Sequence, residues 1–253
     1  MNYNWHWQVL LEAEPGGTGS YLHYLIVGLG WTLVTALAAW VIALSIGAAV
    51  GTLRTTPLKW AVRLGNLYVE IFRNVPLIVQ MFLWFFVVPE LLPAAIGDWI
   101  KQMPPPWSSY LPAVMCLGIF TSVRVAEQVR AGINSLPRGQ RMAGTAMGLT
   151  EAQTYRFVIL PQAFRIILPP LTSEFMNIIK NSSVALTIGL LELTGRARAM
   201  QEFSFRVFEA FTAATVIYLI TNLLVVLLMR ALERKVRVPG LIAASGGTLQ
   251  AGH

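Results

Sequence analysis

Leu136 to Pro161 reads LPRGQRMAGTAMGLTEAQTYRFVILP, a basic and punctuated stretch set between strongly apolar runs. Its pattern is that of two short helices with a break between them. Pro137 and Gly139 close the preceding element, and Gln140 to Met147 reads as helix because Ala143, Ala146 and Met147 recur at helical spacing with no β-branched run against them. Gly148 breaks that helix. Thr150 followed by Gln153 has the form of a capping box, so a second helix starts there and carries Tyr155, Phe157 and Val158 to Pro161, which stops it. A helix, a glycine corner and a second helix on a water-exposed loop make a knob for a partner protein to grip. A plain interhelical loop lying on a membrane surface is the other reading of these residues.

Outward from this stretch the composition is that of a membrane protein. Of 253 residues, 55% are hydrophobic and only 12% charged, too apolar for an ordinary soluble domain. The net charge of +7 does not point to nucleic acid, because the basic residues sit at the ends of apolar runs. Cys116 is alone in an apolar run, and His6, His23 and His253 lie far apart, so neither a disulfide framework nor a metal site is expected. There is no G-x-x-x-x-G-K-S/T loop and no G-x-G-x-x-G, hence no phosphate cradle, and no Ser/His/Asp or Cys/His constellation. The chain reads as non-catalytic, with any ATP handled by another subunit.

Taken in order, Tyr3 to Leu11 is a Trp-rich interfacial segment, and Gly16, Gly17 and Gly19 form a flexible joint. The first apolar run covers about Leu22 to Leu53, and a second, about Leu64 to Val88, ends at Pro89. Pro93 and Pro104 to Pro106 predict an ordered loop. A third span begins near Tyr110. Pro169 and Pro170 mark a kink, a fourth span of moderate apolarity runs from about Leu171 to Leu191, Leu193 to Arg206 reads as a polar loop, and Phe208 to Leu232 is the last span. With the N-terminus outside, the inner segments hold Arg54, Lys59, Arg63, Arg130, Arg138, Arg141, Arg156, Arg165, Arg230, Arg234, Lys235 and Arg237. The outer ones hold only Lys101, Arg196, Arg198 and Arg206. Five spans, N-terminus out and C-terminus in, satisfy the positive-inside rule.

Charges inside spans are the informative residues: Glu70 and Arg73; Arg124, Glu127 and Arg130; Glu174 and Lys180. Each costs at least ~2.5 to 3.5 kcal/mol at mid-bilayer, so such groups face a cavity, a partner or one another. Glu70 with Arg73, and Glu127 with either Arg124 or Arg130, are neighbours at i, i+3 on one helix face. At about 1.5 Å per residue from Tyr110, Arg124 lies roughly 21 Å into a core of about 30 Å. Arg73 and Lys180 come to comparable depth if their spans start near Leu64 and Leu171.

The opening stretch resembles the cytoplasmic coupling loop of ABC importer permeases, whose pattern is Glu-Ala-Ala, three residues, Gly, nine residues, Ile, any residue, Leu-Pro. Ala143, Gly148, Leu160 and Pro161 match in register, and Val158 replaces Ile. Met142 stands in the place of Glu, and Gly144 in that of the second Ala. Tyr68 to Gln80 (YVEIFRNVPLIVQ) is similar to the signature second core helix of polar amino acid ABC permeases. Glu127 to Gln140 is similar to the third, and Lys180-Asn181-Ser182-Ser183 and Glu233 to Arg237 extend the likeness over nearly the whole chain. Thr121 to Glu127, with Arg124 where related permeases usually have an aromatic residue, resembles the subgroup for glutamate and aspartate.

The resemblance implies an all-α polytopic membrane protein of the type I ABC importer permease fold, with five core transmembrane helices, in the bacterial inner membrane. Residues 1–21 would be a periplasmic interfacial segment, 22–238 the transmembrane domain with coupling loop 138–161, and 239–253 a disordered cytoplasmic tail. Its implied partners are a second permease, identical or paralogous, two cytoplasmic ATPase subunits that hold ATP and magnesium, and a periplasmic amino-acid-binding protein. The ATPases would be met by Arg138, Gly139, Gln140, Met142, Ala143, Gly144, Gly148, Leu160 and Pro161. The substrate path would be lined by Arg124, Glu127, Arg73, Glu70, Lys180 and Asn181. A secondary transporter or channel that uses the buried charges for ion coupling is the alternative, against which stands the lack of an internal repeat.

Overall fold

Helix accounts for almost all regular structure in the computed structural model, which describes residues 3–17 and 19–236. Arg237 and the expected tail 239–253 lie outside the described residues. The N-terminal segment forms a 3-10 helix at Trp7–Leu11, and the glycine-rich joint is a turn closed by one antiparallel bridge between Ala13 and Ser20. The first apolar run becomes α1, Tyr21–Leu53, capped by Ser20, whose hydroxyl accepts the His23 amide. Its 33 residues give about 50 Å of helix, enough to span a bilayer core of about 30 Å with tilt.

The second run is not one straight helix. α2, Lys59–Arg73, and the helical run Leu77–Leu91 meet at 99°. Pro76 has no amide to continue α2 and biases Val75 away from helical geometry, which ends the helix at Asn74. Gln80 stitches the corner: its side-chain amide donates to the carbonyls of Phe72 (2.9 Å) and Val75 (3.0 Å), which the break leaves without helical donors.

Two prolines expected to stop helices do not. The run Leu77–Leu91 consists of α3, Leu77–Phe82, a π-turn at Leu83–Val87, and α4, Val88–Leu91. Beyond α5, Ala94–Lys101, which lies within the segment expected to be loop, come α6, Trp107–Asn134, and α7, Arg138–Ala146. Gly139 therefore sits in the first turn of a helix rather than at a boundary. Next are α8, Glu151–Thr154, a second π-turn at Tyr155–Ile159, and α9, Leu160–Asn181. In the two π-turns the amides of Val88 and Leu160 donate five residues back, to Leu83 and Tyr155. Pro89 and Pro161 follow immediately. The widened turn carries the chain over a residue with no amide to give, so a proline that reads as a stop is held inside a helical run.

The fourth span is correspondingly displaced from Leu171–Leu191. Residues 151–181 are helical throughout, with Pro169 and Pro170 inside α9, and the chain then tightens to a 3-10 helix at Ser182–Ile188. The stretch read as a polar loop after it is α10, Leu193–Ser204, followed by α11, Val207–Val236. Glu192 caps α10 with a fully buried carboxylate that accepts the amides of Thr194 (3.0 Å) and Gly195 (2.8 Å).

By length and composition α1, α6 and α11 can each cross a membrane, and α2 with Leu77–Leu91 adds a fourth if the bent pair is one span. α6 is the most buried of these. It lies close against α1 because the facing positions are glycines: a Cβ at Gly47 would come 2.5 Å from Val125, and one at Gly51 2.6 Å from the Ala126 carbonyl oxygen. Ala36, Ala39, Cys116, Leu117, Ile178 and Ile179 form the core where α1, α6 and α9 meet. A second cluster, with Val9, Leu25, Leu193 and Ala210, joins the N-terminal segment to α10 and α11.

Candidate functional site

The two-helix knob is built by local rules. α7 ends in a Schellman motif: the Gly148 amide donates to Thr145 (2.9 Å), the Leu149 amide to Gly144 (3.1 Å), and Gly148 takes a φ of 77°. One residue later the capping box is complete, with the Thr150 hydroxyl accepting the Gln153 amide and the Gln153 side chain accepting the Thr150 amide. Gly144 is where the two helices touch. A Cβ there would stand 2.7 Å from Thr154, so Gly in place of the pattern's Ala lets them close up.

The knob is clamped to the corner between α1 and α2. Tyr155 donates its hydroxyl to the Thr55 carbonyl at 2.7 Å, and Arg141 Nη2 donates to the same oxygen at 3.1 Å. The Arg141 guanidinium lies over the Tyr155 ring, 4.8 Å from its centroid. Gln140 accepts from Gln162 at 3.3 Å. Outward, Arg138, Gly139, Met142, Ala143 and Gly148 are exposed, Met142 at 71% and Met147 at 68%. Met147 was read from sequence only as part of the helix and not as a residue of the ATPase face, although an apolar residue beside a glycine corner is a signal for it. Gly144 is buried and Leu160 packs on the core. Leu160 and exposed Pro161 lie along the helix leading from the knob rather than on its tip.

Two ion pairs link span charges across helices. Arg124 on α6 meets Glu174 on α9, Nη1 to Oε2 3.7 Å, and leans on the Phe120 ring at 5.0 Å. Glu127 accepts from Arg54 Nη1 at 2.9 Å, and Arg130 stands 3.7 Å from its other oxygen. Of the two neighbours open to Glu127 from sequence, Arg130 is the one it meets, but its shorter bond is to Arg54, which had been read only as an orientation charge. Glu174 likewise had no partner assigned. The expected Glu70–Arg73 pair is not made among the described residues: both side chains are exposed on the last turn of α2, where water or a partner can serve each charge separately. α2 starts at Lys59 rather than Leu64 and α9 at Leu160 rather than Leu171, so the starting points assumed in counting the depth of Arg73 and Lys180 are not the starts of their helices. Lys180 is exposed at the end of α9 beside half-buried Asn181. Arg124 and Glu127 share α6, and among the described residues no side-chain hydrogen bond or ion pair links any two of the six path residues. Among the described residues there is no cluster of three metal-ligating side chains.

The family model for the binding-protein-dependent transport system inner membrane component matches residues 42–238, which contain the knob, its clamp and every charge described above. The chain belongs to this family. This inner-membrane transport component is 48% identical over 241 residues to the glutamate/aspartate import permease protein GltJ of Escherichia coli (strain K12), covering 95% of this chain and 98% of that one. It is 34% identical over 197 residues to the probable amino-acid ABC transporter permease protein PatM of Vibrio harveyi, with 78% and 84% covered. Among solved structures it is similar to the crystal structure of an amino acid ABC transporter with histidines, at 30% identity and a TM-score of 0.71, over 85% of this chain and 95% of that one. The inward-facing MetNI methionine ABC transporter, at 19% identity and a TM-score of 0.64 over 86% and 96%, shares the fold.

Proposed function

We propose that this transport component is the permease of an ATP-driven importer for glutamate and aspartate. The observation that carries the substrate is the 48% identity, nearly end to end, to a permease named for import of those two amino acids. The bundle would cross the inner membrane five times, with α9 as the span that its charges and prolines require to be shielded, N-terminus outside and C-terminus inside. A second permease would complete the path, a periplasmic binding protein would deliver substrate, and two ATPase subunits, holding ATP and magnesium, would grip the exposed face of α7 and the Gly148 corner.

Arg124 and Glu174 suit the substrate chemically. Arginine's planar fork is matched to a carboxylate, and a carboxylate facing it offers a place for the ammonium of the same amino acid. At 3.7 Å the two are drawn together without a direct hydrogen bond, which leaves donors and acceptors for a ligand. Glu127, Arg73, Glu70, Lys180 and Asn181 would line the remainder of the path. No observation favours a secondary transporter or channel.

The test is reconstitution of the permease, with its partner permease, ATPase and binding protein, in liposomes. Uptake of labelled glutamate and aspartate should require all of these proteins and hydrolysable ATP. Uptake by the permease alone, driven by an ion gradient, would reject the reading.

A further inference from the structure

The residue that the knob holds and the residue that holds Glu127 are neighbours in sequence. Thr55 is bound by Tyr155 and Arg141. Arg54, with a side chain only 5% exposed, gives Nε to Asn66 on α2 at 2.8 Å and Nη1 to Glu127 on α6 at 2.9 Å. It is wedged there, since a Cβ at Gly65 would come 2.5 Å from its Cγ. One helical turn before Glu127 is Arg124, paired with Glu174, and α9 runs back from Glu174 through the π-turn to Tyr155, about 28 Å away by helical rise. The contacts therefore close a ring: Tyr155 to Thr55, Arg54 to Glu127, α6 to Arg124, Glu174, and along α9 to Tyr155.

In a closed ring no helix shifts alone. A displacement of α7 and α8 must carry the α1–α2 corner and α6 with it, or break a contact. The contacts are unequal: Arg54–Glu127 is a 2.9 Å hydrogen-bonded pair in which Arg54 is 5% and Glu127 35% exposed, whereas Arg124–Glu174 is 3.7 Å long with no hydrogen bond, Arg124 being 44% and Glu174 13% exposed. Movement enforced at the knob is therefore transmitted through the first and released at the second. We propose that the Arg54–Glu127 pair is the transmission link that makes α6 follow the knob and so opens the Arg124–Glu174 pair. This rests on the docking of the ATPases at the knob. Arg54 is a positioning residue: it touches neither ATPase nor substrate.

The test uses the complete reconstituted importer and reads glutamate uptake and ATP hydrolysis on the same vesicles. Arg54→Lys keeps the charge but cannot serve Asn66 and Glu127 together, and Arg54→Gln removes the charge. Both variants should retain ATP hydrolysis stimulated by loaded binding protein, while glutamate carried per ATP falls about fivefold or more. Adding Tyr155→Phe should lower that ratio no further than the larger single effect, as expected of links in series. An unchanged ratio, additive losses, an equal fall of both activities, or failure of both Arg54 variants to assemble overturns the proposal and leaves an ordinary structural ion pair. ATPase copurification with Gly148→Asp is measured alongside. Full retention there rejects docking at the knob, a failure distinct from any result at Arg54.

Discussion

Arg124 Nη1 and Glu174 Oε2 stand 3.7 Å apart, on helices separated by 50 positions in the chain. The charges attract at that distance, but the guanidinium makes no hydrogen bond to the carboxylate and keeps its fork for another partner. Arg124→Gln stays polar but is shorter, and loses the charge and the fork. It should weaken use of glutamate and aspartate by about 10- to 100-fold, the range for one lost charge-assisted contact, while the complex still assembles. Arg124→Lys should retain part of the activity. Uptake assays beside size-exclusion chromatography check this, and unaltered uptake by the Gln variant, or its failure to assemble, rejects Arg124 as a substrate contact.

At Gly148 the backbone and the docking surface make separable demands. Its φ is 77°, and a Cβ would meet nothing within 4 Å, so a side chain there is strained by conformation alone and points into open space. Asparagine tolerates left-handed geometry better than most residues, so Gly148→Asn should cost at most about 1 to 2 kcal/mol and retain the ATPase. Gly148→Asp has the same shape but adds a negative charge on the surface proposed to meet the ATPase. Pull-down of the ATPase should fail with Asp and succeed with Asn, and both should insert in the membrane. Normal pull-down and normal ATP hydrolysis with Asp would sink the idea.

Why the knob was legible and much of its setting was not follows from where the determining contacts lie. Gly148, Thr150 and Gln153 act within a few residues of one another, so helix, corner and capping box could be read directly. Pro89 and Pro161 misled because the rule that proline ends a helix takes the ladder to be α-helical. The π-turns at Leu83–Val87 and Tyr155–Ile159 carry no local mark in the sequence. α10 was missed because glutamate is not a usual N-cap, and what stabilises it there comes from Thr32 and Tyr218 on other helices. The Arg54–Glu127 bond joins residues 73 positions apart, while the i, i+3 rule could offer only Arg124 and Arg130.

Glu192 offers the clearest measure of stability. Its carboxylate is wholly buried and accepts four hydrogen bonds, from the amides of Thr194 and Gly195, from the Tyr218 hydroxyl at 2.8 Å and from the Thr32 hydroxyl at 3.3 Å. Those bonds tie the start of α10 to α1 and α11. Glu192→Ala strands several buried donors at once, a loss on the order of 3 kcal/mol or more. Glu192→Gln keeps acceptor oxygen but gives up the charge, and its loss should be smaller. Tyr218→Phe removes one donor whose oxygen also lies 3.1 Å from Thr194 Oγ1, for about 1 kcal/mol. Thermal unfolding of the purified protein in one detergent should rank the melting temperatures wild type, Tyr218→Phe, Glu192→Gln, Glu192→Ala, from highest to lowest. An alanine variant that melts with the wild type would mean that water or lipid reaches these donors, and that the cap does not hold α10 in place.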